Sequence, residues 1–122
     1  ISKKEKIRNR YLAGLETVVE IFKNHPDSKP VHWFTSLKTD KKEKLSRYLK
    51  SKNIGTRNFF YPLHKQPCYL NNSELVVCGG PQNYKNSTNA YNLGLSLPSS
   101  YNLSEDDQDR VIREVKKFYE EN

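Results

Sequence analysis

The sequence lacks any long apolar run. Hydrophobic residues make up only 34% of the chain, and no stretch of about 18 consecutive apolar residues occurs, which excludes a helix that spans a bilayer. The charged opening segment, residues 1–6, has no apolar core of the kind that a secretory signal peptide carries. The chain opens on Ile1 rather than on Met, so we expect this end to be a cut end. We expect a cytoplasmic protein.

Cysteine is also scarce. The two cysteines, Cys68 and Cys78, have nine residues between them. Neither has a Cys or His partner at the C-x-x-C spacing that a zinc site or a thioredoxin-type redox site requires, so no metal site is predicted. We expect two free, partly buried thiols in a reducing compartment.

Positive charge is in excess, but it is unevenly distributed. The net charge is +7, and residues 1–57 hold 15 of the 21 Lys and Arg against 6 acidic residues, whereas residues 58–122 hold 6 basic and 8 acidic residues. The basic half is mostly Lys spread over two predicted helices, without an Arg-rich stripe interleaved with aromatics, which favours solvated helix faces over a nucleic-acid surface. A free-standing basic module that binds nucleic acid or an acidic partner stays as the alternative.

The apolar spacing predicts helices at both ends of the chain. From Ile7 to Phe22 the apolar residues recur every three or four positions, which predicts a helix that ends near Asn24. Because this helix is long and begins at the expected cut end, it is a candidate connector. Near the other end, Ser104 precedes three acidic residues, which is typical of a helix N-terminus because the hydroxyl caps free N–H groups and the acids complement the helix dipole.

Between these helices the sequence predicts short strands, one more helix and a loop. We expect strands at 31–38, 56–61 and 93–98, because these stretches are rich in β-branched, aromatic or alternating apolar residues. A helix should begin with a capping box at Asp40 and stop in the left-handed segment 53–55. The Asn-rich interval 66–89 should be mainly loop, with a short strand or helix fragment at 74–78.

The predicted fold class is therefore α/β (α+β), with a small sheet of about three strands covered by helices. A chain of 122 residues is long enough to bury one core, and each amphipathic helix must bury its apolar stripe against a neighbour. We expect one domain over residues 1–122, with residues 1–24 as the connecting helix and residues 31–122 as the sheet-and-helix body.

The segment 57–69 holds the densest set of side chains that could bind a ligand. Arg57, Tyr61, His64 and Tyr69 lie there beside aromatic residues, which is the composition of a site for a polar, phosphate-bearing ligand. A packed strand with a surface histidine would have the same composition, and Arg57 could equally form an internal salt bridge. Because neighbouring residues of a strand lie on opposite faces, at least one of the two phenylalanines at 59 and 60 should belong to the core.

Two ordered motifs resemble a known family. The first motif comprises 53–57 (NIGTR) and 61–69 (YPLHKQPCY), and it is similar to the C-terminal pattern of the DegT/StrS-type sugar aminotransferases. The second is 93–100 (LGLSLPSS), followed by an acidic helix start, and it is similar to the pattern that closes those proteins. The likeness covers nearly the whole chain and is weakest at 70–86. The Arg-x-Phe-Phe-Tyr-Pro version resembles perosamine-synthase-like members most.

The resemblance implies the C-terminal small domain of a fold-type-I aminotransferase that uses pyridoxal 5'-phosphate (PLP). The large N-terminal domain of such an enzyme would carry the PLP lysine, so this chain alone should not catalyse the reaction. The implied substrate is a nucleotide-linked 4-keto-6-deoxy sugar, with glutamate as the amino donor and a homodimer as the assembly. The resemblance assigns substrate contacts to His64 and Tyr61, and also to Tyr69 and Arg57. The chain departs from the family in the Asn-rich stretch 70–92 and at Cys68, where relatives carry a small residue.

Overall fold

The computed structural model describes residues 1–70 and 84–121, in which helices pack against a small antiparallel sheet. The described elements, in chain order, are α1 (Ser2–Leu15), β1 (Glu20–Ile21), β2 (Thr35–Lys38), α2 (Lys42–Ser51), β3 (Arg57–Asn58), a 3₁₀ turn (Leu63–Lys65), α3 (Pro67–Leu70), α4 (Lys85–Leu93), β4 (Gly94–Leu97) and α5 (Glu105–Glu121). None of these helices is both long and apolar enough to cross a membrane.

The sheet has four strands in the order β1-β2-β4-β3, and each neighbouring pair is antiparallel. β4 lies between β2 and β3, with Leu37 opposite Leu95 and Arg57 opposite Ser96. The predicted α/β class is confirmed. The prediction of about three strands omitted β1, which adds the fourth strand at one edge.

The core lies where α1, α2 and α5 cover the sheet. Its fully buried side chains are Tyr11, Leu15, Leu37, Leu45, Leu49, Leu95, Leu97 and Val115. The helices α1 and α5 approach so closely at Gly14 that a Cβ there would lie 2.8 Å from Cδ1 of Ile112. Arg10 on α1 also forms an ion pair with Asp109 on α5, with Nη2 and Oδ2 2.7 Å apart. Close packing and this ion pair together fix α1 to α5.

The prediction that the first helix continues to Asn24 is wrong. α1 ends at Leu15, whose carbonyl oxygen accepts hydrogen bonds from the N–H groups of Val18 and Val19 in a turn. Val19 and Ile21 are then buried at β1, which pairs with β2. Their β-branched side chains suit a strand, and their spacing fits a helix as well as a strand, which is why the sequence pattern misassigned them.

The ends of α2 agree with the prediction only in part. Asp40 was predicted to cap this helix, but the backbone N–H of Lys41 donates to Oγ1 of Thr39, at 3.1 Å, and no side chain caps the N-cap position. The left-handed stop was predicted for 53–55 and is confirmed, since Asn53 has a φ of 57°. Asparagine tolerates this conformation better than most residues.

Two predicted strands are shorter than expected, and one predicted loop is partly helical. β2 covers only the second half of 31–38, because β4 offers four residues for pairing, and β3 covers only two residues of 56–61. The interval 66–89, predicted as mainly loop, contains α3 and the first turn of α4. The possible fragment at 74–78 lies outside the described residues.

The last strand and the last helix are confirmed. β4 forms within the predicted range 93–98, and α5 begins directly after Ser104. Oγ of Ser104 accepts a hydrogen bond from the backbone N–H of Asp107 at 3.1 Å, as a capping hydroxyl should. The apolar face of α5 is buried at Val115 and Phe118.

The Tyr11 phenol should make the stability of the protein depend on alkaline pH. Its hydroxyl donates to the carbonyl oxygen of Pro98 at 2.8 Å, and burial raises the pKa of Tyr11 above its ordinary value. The folded state therefore favours the protonated phenol, and its contribution is fully present below a pH of about 10 and is lost as the pH rises further.

We expect Tyr11→Phe to lower the free energy of unfolding by about 1–3 kcal/mol at pH 8. At pH 11 the difference from the parent should shrink by about 1.4 kcal/mol, because Tyr11 then ionises in the unfolded parent. Urea unfolding at both pH values measures this, with exposed Tyr101→Phe as the matched control. A difference that stays constant with pH would contradict the prediction.

Candidate functional site

His64 has a buried ring nitrogen without a hydrogen-bond partner. The residue lies in the 3₁₀ turn, and its imidazole stacks on the ring of Tyr84 with centroids 4.9 Å apart and an interplanar angle of 28°. Nε2 is buried and finds no partner among the described residues. An unpaired buried polar atom costs free energy, so this nitrogen is the best placed group in the segment to bind a ligand.

Tyr61 lies three residues earlier and presents its phenol to solvent. Its ring packs edge to face on the ring of Tyr91, with centroids 5.1 Å apart and an interplanar angle of 85°. The side chain is nevertheless 47% exposed. Its orientation is thus constrained on one side while its hydroxyl stays available to donate or accept a hydrogen bond.

Tyr69 and Arg57 are also exposed, but the structure does not bring Arg57 to the other two residues. Tyr69 lies on α3, which follows the turn that holds His64. Arg57 lies on the edge strand β3 with its guanidinium 5.8 Å from the centroid of Phe34. In the described part of the chain, no hydrogen bond, ion pair or ring contact joins Arg57 to His64 or Tyr61, and the alternative of an internal salt bridge for Arg57 is not observed there.

Near Arg57 the rings of Trp33, Phe34, Phe59 and Phe60 form an aromatic strip. Trp33 stacks on Phe34 at 4.8 Å, and Phe60 lies 6.1 Å from Trp33 and 5.9 Å from Phe59, between ring centroids. Phe60 is 63% exposed and Phe59 is half-buried. The prediction that one of these phenylalanines belongs to the core is therefore wrong, because the chain leaves the sheet after Asn58.

The surroundings of a histidine beside this strip favour its neutral form. Burial and the positive charge of Arg8 lower the pKa of His32 below its ordinary value of 6.5, and Glu5 opposes this effect. Neutral imidazole can both donate and accept a hydrogen bond.

Lys42 is a buried lysine whose ammonium group is already engaged. It is 7% exposed, and Nζ donates to the carbonyl oxygen of Tyr91 at 2.9 Å while lying 4.8 Å from the centroid of that ring. A lysine that forms a Schiff base needs a desolvated and available neutral amine. Lys42 is desolvated but not available, so it does not fit the role of the lysine that carries PLP.

The thiol prediction is right for the free state of Cys68 and wrong for its burial. Cys68 is free as predicted, but it is exposed rather than partly buried, because the short helix α3 lies on the surface. Cys78 lies outside the described residues. Within residues 1–70 and 84–121, no group of three or more His, Cys, Asp or Glu side chains could hold a metal ion.

Several cations of the basic half make internal contacts. Nζ of Lys4 donates to the backbone carbonyl oxygens of Trp33, at 3.0 Å, and of Ser99. Lys38 pairs with Glu20 at 3.1 Å between Nζ and Oε2. These two lysines are engaged by groups of the fold, so their charges do not favour the nucleic-acid alternative.

A groove of about 550 Å³ lies between α1 and β1, away from the four predicted site residues. Its walls include two acids, Glu16 and Glu20, and one cation, Lys23, together with apolar residues such as Leu12 and Val19. The net negative charge of these walls disfavours a phosphate-bearing ligand by charge repulsion. The segment around His64 and Tyr61 is therefore the better candidate site, although it is an open surface.

The sequence pattern does not single out the two tyrosines that support this site. Tyr84 and Tyr91 lie at opposite ends of α4, and their rings contact His64 and Tyr61. Their spacing of seven residues matches two helical turns, but a single pair at this spacing does not outweigh the Asn-rich composition, which favours a loop.

Comparison with known proteins places the chain in a family. Residues 1–116 match the DegT/DnrJ/EryC1/StrS aminotransferase family. The chain is 28% identical over 125 residues to the GDP-perosamine synthase of Escherichia coli O157:H7. The matched region covers 98% of this chain and 31% of that enzyme. It thus spans about a third of the length of this relative.

Solved structures share the fold. A DegT/DnrJ/EryC1/StrS aminotransferase from Brucella abortus has a TM-score of 0.79 and 28% identity, over 97% of this chain and 31% of that one. Another is a Streptococcus pneumoniae protein described as a sugar aminotransferase and solved in its PLP form. It has a TM-score of 0.78 and 16% identity, over 98% of this chain and 31% of that one. At this identity the likeness is one of fold alone. The resemblance inferred from the motifs is confirmed, and the chain belongs to the DegT/DnrJ/EryC1/StrS aminotransferase family.

Proposed function

We propose that this chain is the substrate-binding C-terminal domain of a PLP-dependent aminotransferase. The proposed reaction aminates a nucleotide-linked 4-keto-6-deoxy sugar, with glutamate as the amino donor. The observation that carries the proposal is the family match over residues 1–116 by a chain that spans 31% of the GDP-perosamine synthase it resembles. In this proposal residues 1–24 connect to the large domain, and residues 31–122 form the body of the small one.

The side chains of the site suit a sugar phosphate. Nε2 of His64 is buried without a partner among the described residues, and it would bond a sugar hydroxyl or a phosphate oxygen. The exposed phenol of Tyr61 would contribute a second hydrogen bond, and Tyr69 a further one. Arg57 has a planar guanidinium that can hold a diphosphate or a carboxylate in a bidentate manner.

The cofactor belongs to another part of the enzyme in this proposal. PLP would carry the amino group from the donor to the keto carbon, and it would be bound by the large N-terminal domain. The residues described above would bind and orient the sugar nucleotide and exclude water from one side of it. We further propose that the full-length enzyme is a cytoplasmic homodimer.

The test is a reaction with the full-length enzyme, PLP, glutamate and a panel of nucleotide-linked 4-keto-6-deoxy sugars that includes the GDP-linked one. Transfer of the amino group converts the keto sugar into an amino sugar and glutamate into 2-oxoglutarate. Mass spectrometry should find the two products in equal amounts. The chain of residues 1–122 alone should give no product and no PLP absorbance, and turnover by this chain alone would overturn the proposal.

A further inference from the structure

Helix α4 carries one aromatic ring behind each of the two principal ligand contacts. Tyr84, at the N-cap position, stacks on His64 at 4.9 Å between centroids. Tyr91, in the last turn, packs edge to face on Tyr61 at 5.1 Å. Seven residues correspond to about two helical turns, so the two tyrosines lie on the same side of α4.

In the described part of the chain, the segment that holds the ligand contacts has few hydrogen bonds to the rest of the fold. After β3, the N–H of Phe59 donates to the carbonyl oxygen of Gly94 at 3.2 Å. The backbone hydrogen bonds that follow are local, from Lys65 to Pro62 and from Gln66 to Leu63. Ring contacts fix the segment instead: the aromatic strip holds its start, and the two tyrosines at α4 hold the ligand contacts that follow.

Helix α4 is itself anchored to the core at its C-terminal end. Nζ of Lys42, buried on α2, donates to the carbonyl oxygen of Tyr91 at 2.9 Å. The N–H of Thr39 donates to the carbonyl oxygen of Leu93 at 2.9 Å. These bonds satisfy two carbonyl groups that a helix end leaves free, and a cation there also complements the helix dipole. A continuous set of contacts thus runs from Lys42 through Tyr91 to Tyr61.

We infer that α4 is a positioning helix of the sugar-nucleotide site: Tyr91 sets the orientation of Tyr61, Tyr84 sets that of His64, and Lys42 fixes α4. The inference rests on the proposed role of His64 and Tyr61 as substrate contacts. Displacement of a binding group by about 1 Å is enough to weaken a hydrogen bond substantially. Loss of a supporting ring should therefore weaken sugar binding even though that ring does not touch the sugar.

The experiment is a double-mutant cycle on the full-length enzyme with Tyr91→Ala and Tyr61→Ala, measured as the KM for the nucleotide sugar. Tyr91→Ala should raise this KM about 3- to 10-fold, the range expected for loss of one aromatic pair, with kcat within about twofold. Tyr91→Phe keeps the ring and should restore the parent value. In the Tyr61→Ala background, Tyr91→Ala should add less than about twofold, because its target is gone.

Lys42→Met is the second variant, for the case in which Tyr91→Ala does not fold. It should also raise the sugar KM, and this increase should be smaller in the Tyr61→Ala background, where only the effect through Tyr84 and His64 remains. Tyr48→Ala is the matched control, because it removes a similar ring contact, 5.5 Å from Phe118, and its hydroxyl bonds Glu114 on α5, so it should lower stability without changing the sugar KM.

The kinetic outcomes distinguish the positioning role of α4 from the substrate contact of Tyr61. An effect of Tyr61→Ala with none of Tyr91→Ala or Lys42→Met would overturn the positioning role alone. Effects of Tyr91→Ala and Tyr61→Ala that simply multiply would also overturn it. An unchanged sugar KM in Tyr61→Ala would overturn the substrate contact itself, and the positioning role with it.

Discussion

Replacing His64 with alanine in the full-length enzyme should raise the KM for the nucleotide sugar by about 10-fold or more. The variant removes Nε2, the buried ring nitrogen that has no partner among the described residues. A hydrogen bond from such a group to a charged phosphate oxygen contributes about 1.5–3 kcal/mol, which corresponds to roughly 10- to 100-fold in affinity. PLP binding should be unchanged, because the cofactor is proposed to lie on the large domain.

Steady-state kinetics with varied sugar nucleotide measures this effect, and a PLP absorbance titration measures cofactor binding. His25→Ala is the matched control, since the side chain of His25 is exposed and makes only local contacts with Asp27. If His64→Ala leaves the sugar kinetics unchanged, His64 is not part of the site. A loss of PLP binding equal to the loss of sugar binding would also contradict the proposed division of roles.

A large loss of stability is expected for Gly94→Ala. Gly94 is the first residue of β4, directly after α4, and a Cβ there would lie 2.7 Å from Cβ of Phe59 and closer still to the carbonyl oxygen of Ala90. The backbone cannot easily move away, because Gly94 pairs with Lys38 and accepts a hydrogen bond from Phe59. We expect a loss of about 1–3 kcal/mol in the free energy of unfolding, as for overpacking of a core.

Urea unfolding checks this prediction against Gly55→Ala. An added Cβ at Gly55 meets nothing within 4 Å, and the φ of Gly55 lies outside the left-handed region. That variant should therefore be neutral or slightly more stable, because alanine reduces the entropy of the unfolded chain. Equal effects of the two substitutions would show that the close approach at Gly94 is relieved elsewhere.

The sequence predicts an element well where one local signal dominates. The helix after Ser104 has a capping hydroxyl, three acids and a regular apolar face, and these signals agree with one another. β4 has a short alternating pattern that ends at Pro98. At Val19 and Ile21, by contrast, the apolar spacing fits two structures, and pairing with β2, which the sequence does not display, decides between them.

Helix α4 was not predictable from its own residues. It is rich in Asn, Ser and Thr, which have low helix propensity, and no side chain caps its start. Contacts from other elements stabilise it, chiefly the bond from Lys42 to Tyr91. The family motif identified His64 and Tyr61 as candidates. Tyr84 and Tyr91 lie in 70–92, where the chain departs from the family pattern. Only the structure revealed their contacts with the site.

The strand order has a consequence for how the chain folds. β2 and β3 do not pair with each other, since each pairs with β4, which is the last strand in the sequence. Leu37 must therefore find Leu95, a partner 58 positions further along the chain, and such long-range closure is slow compared with local contacts. During synthesis, β2 and β3 stay without their shared neighbour until residues 94–97 have left the ribosome. The sheet is then completed in one late step, by a strand of four residues.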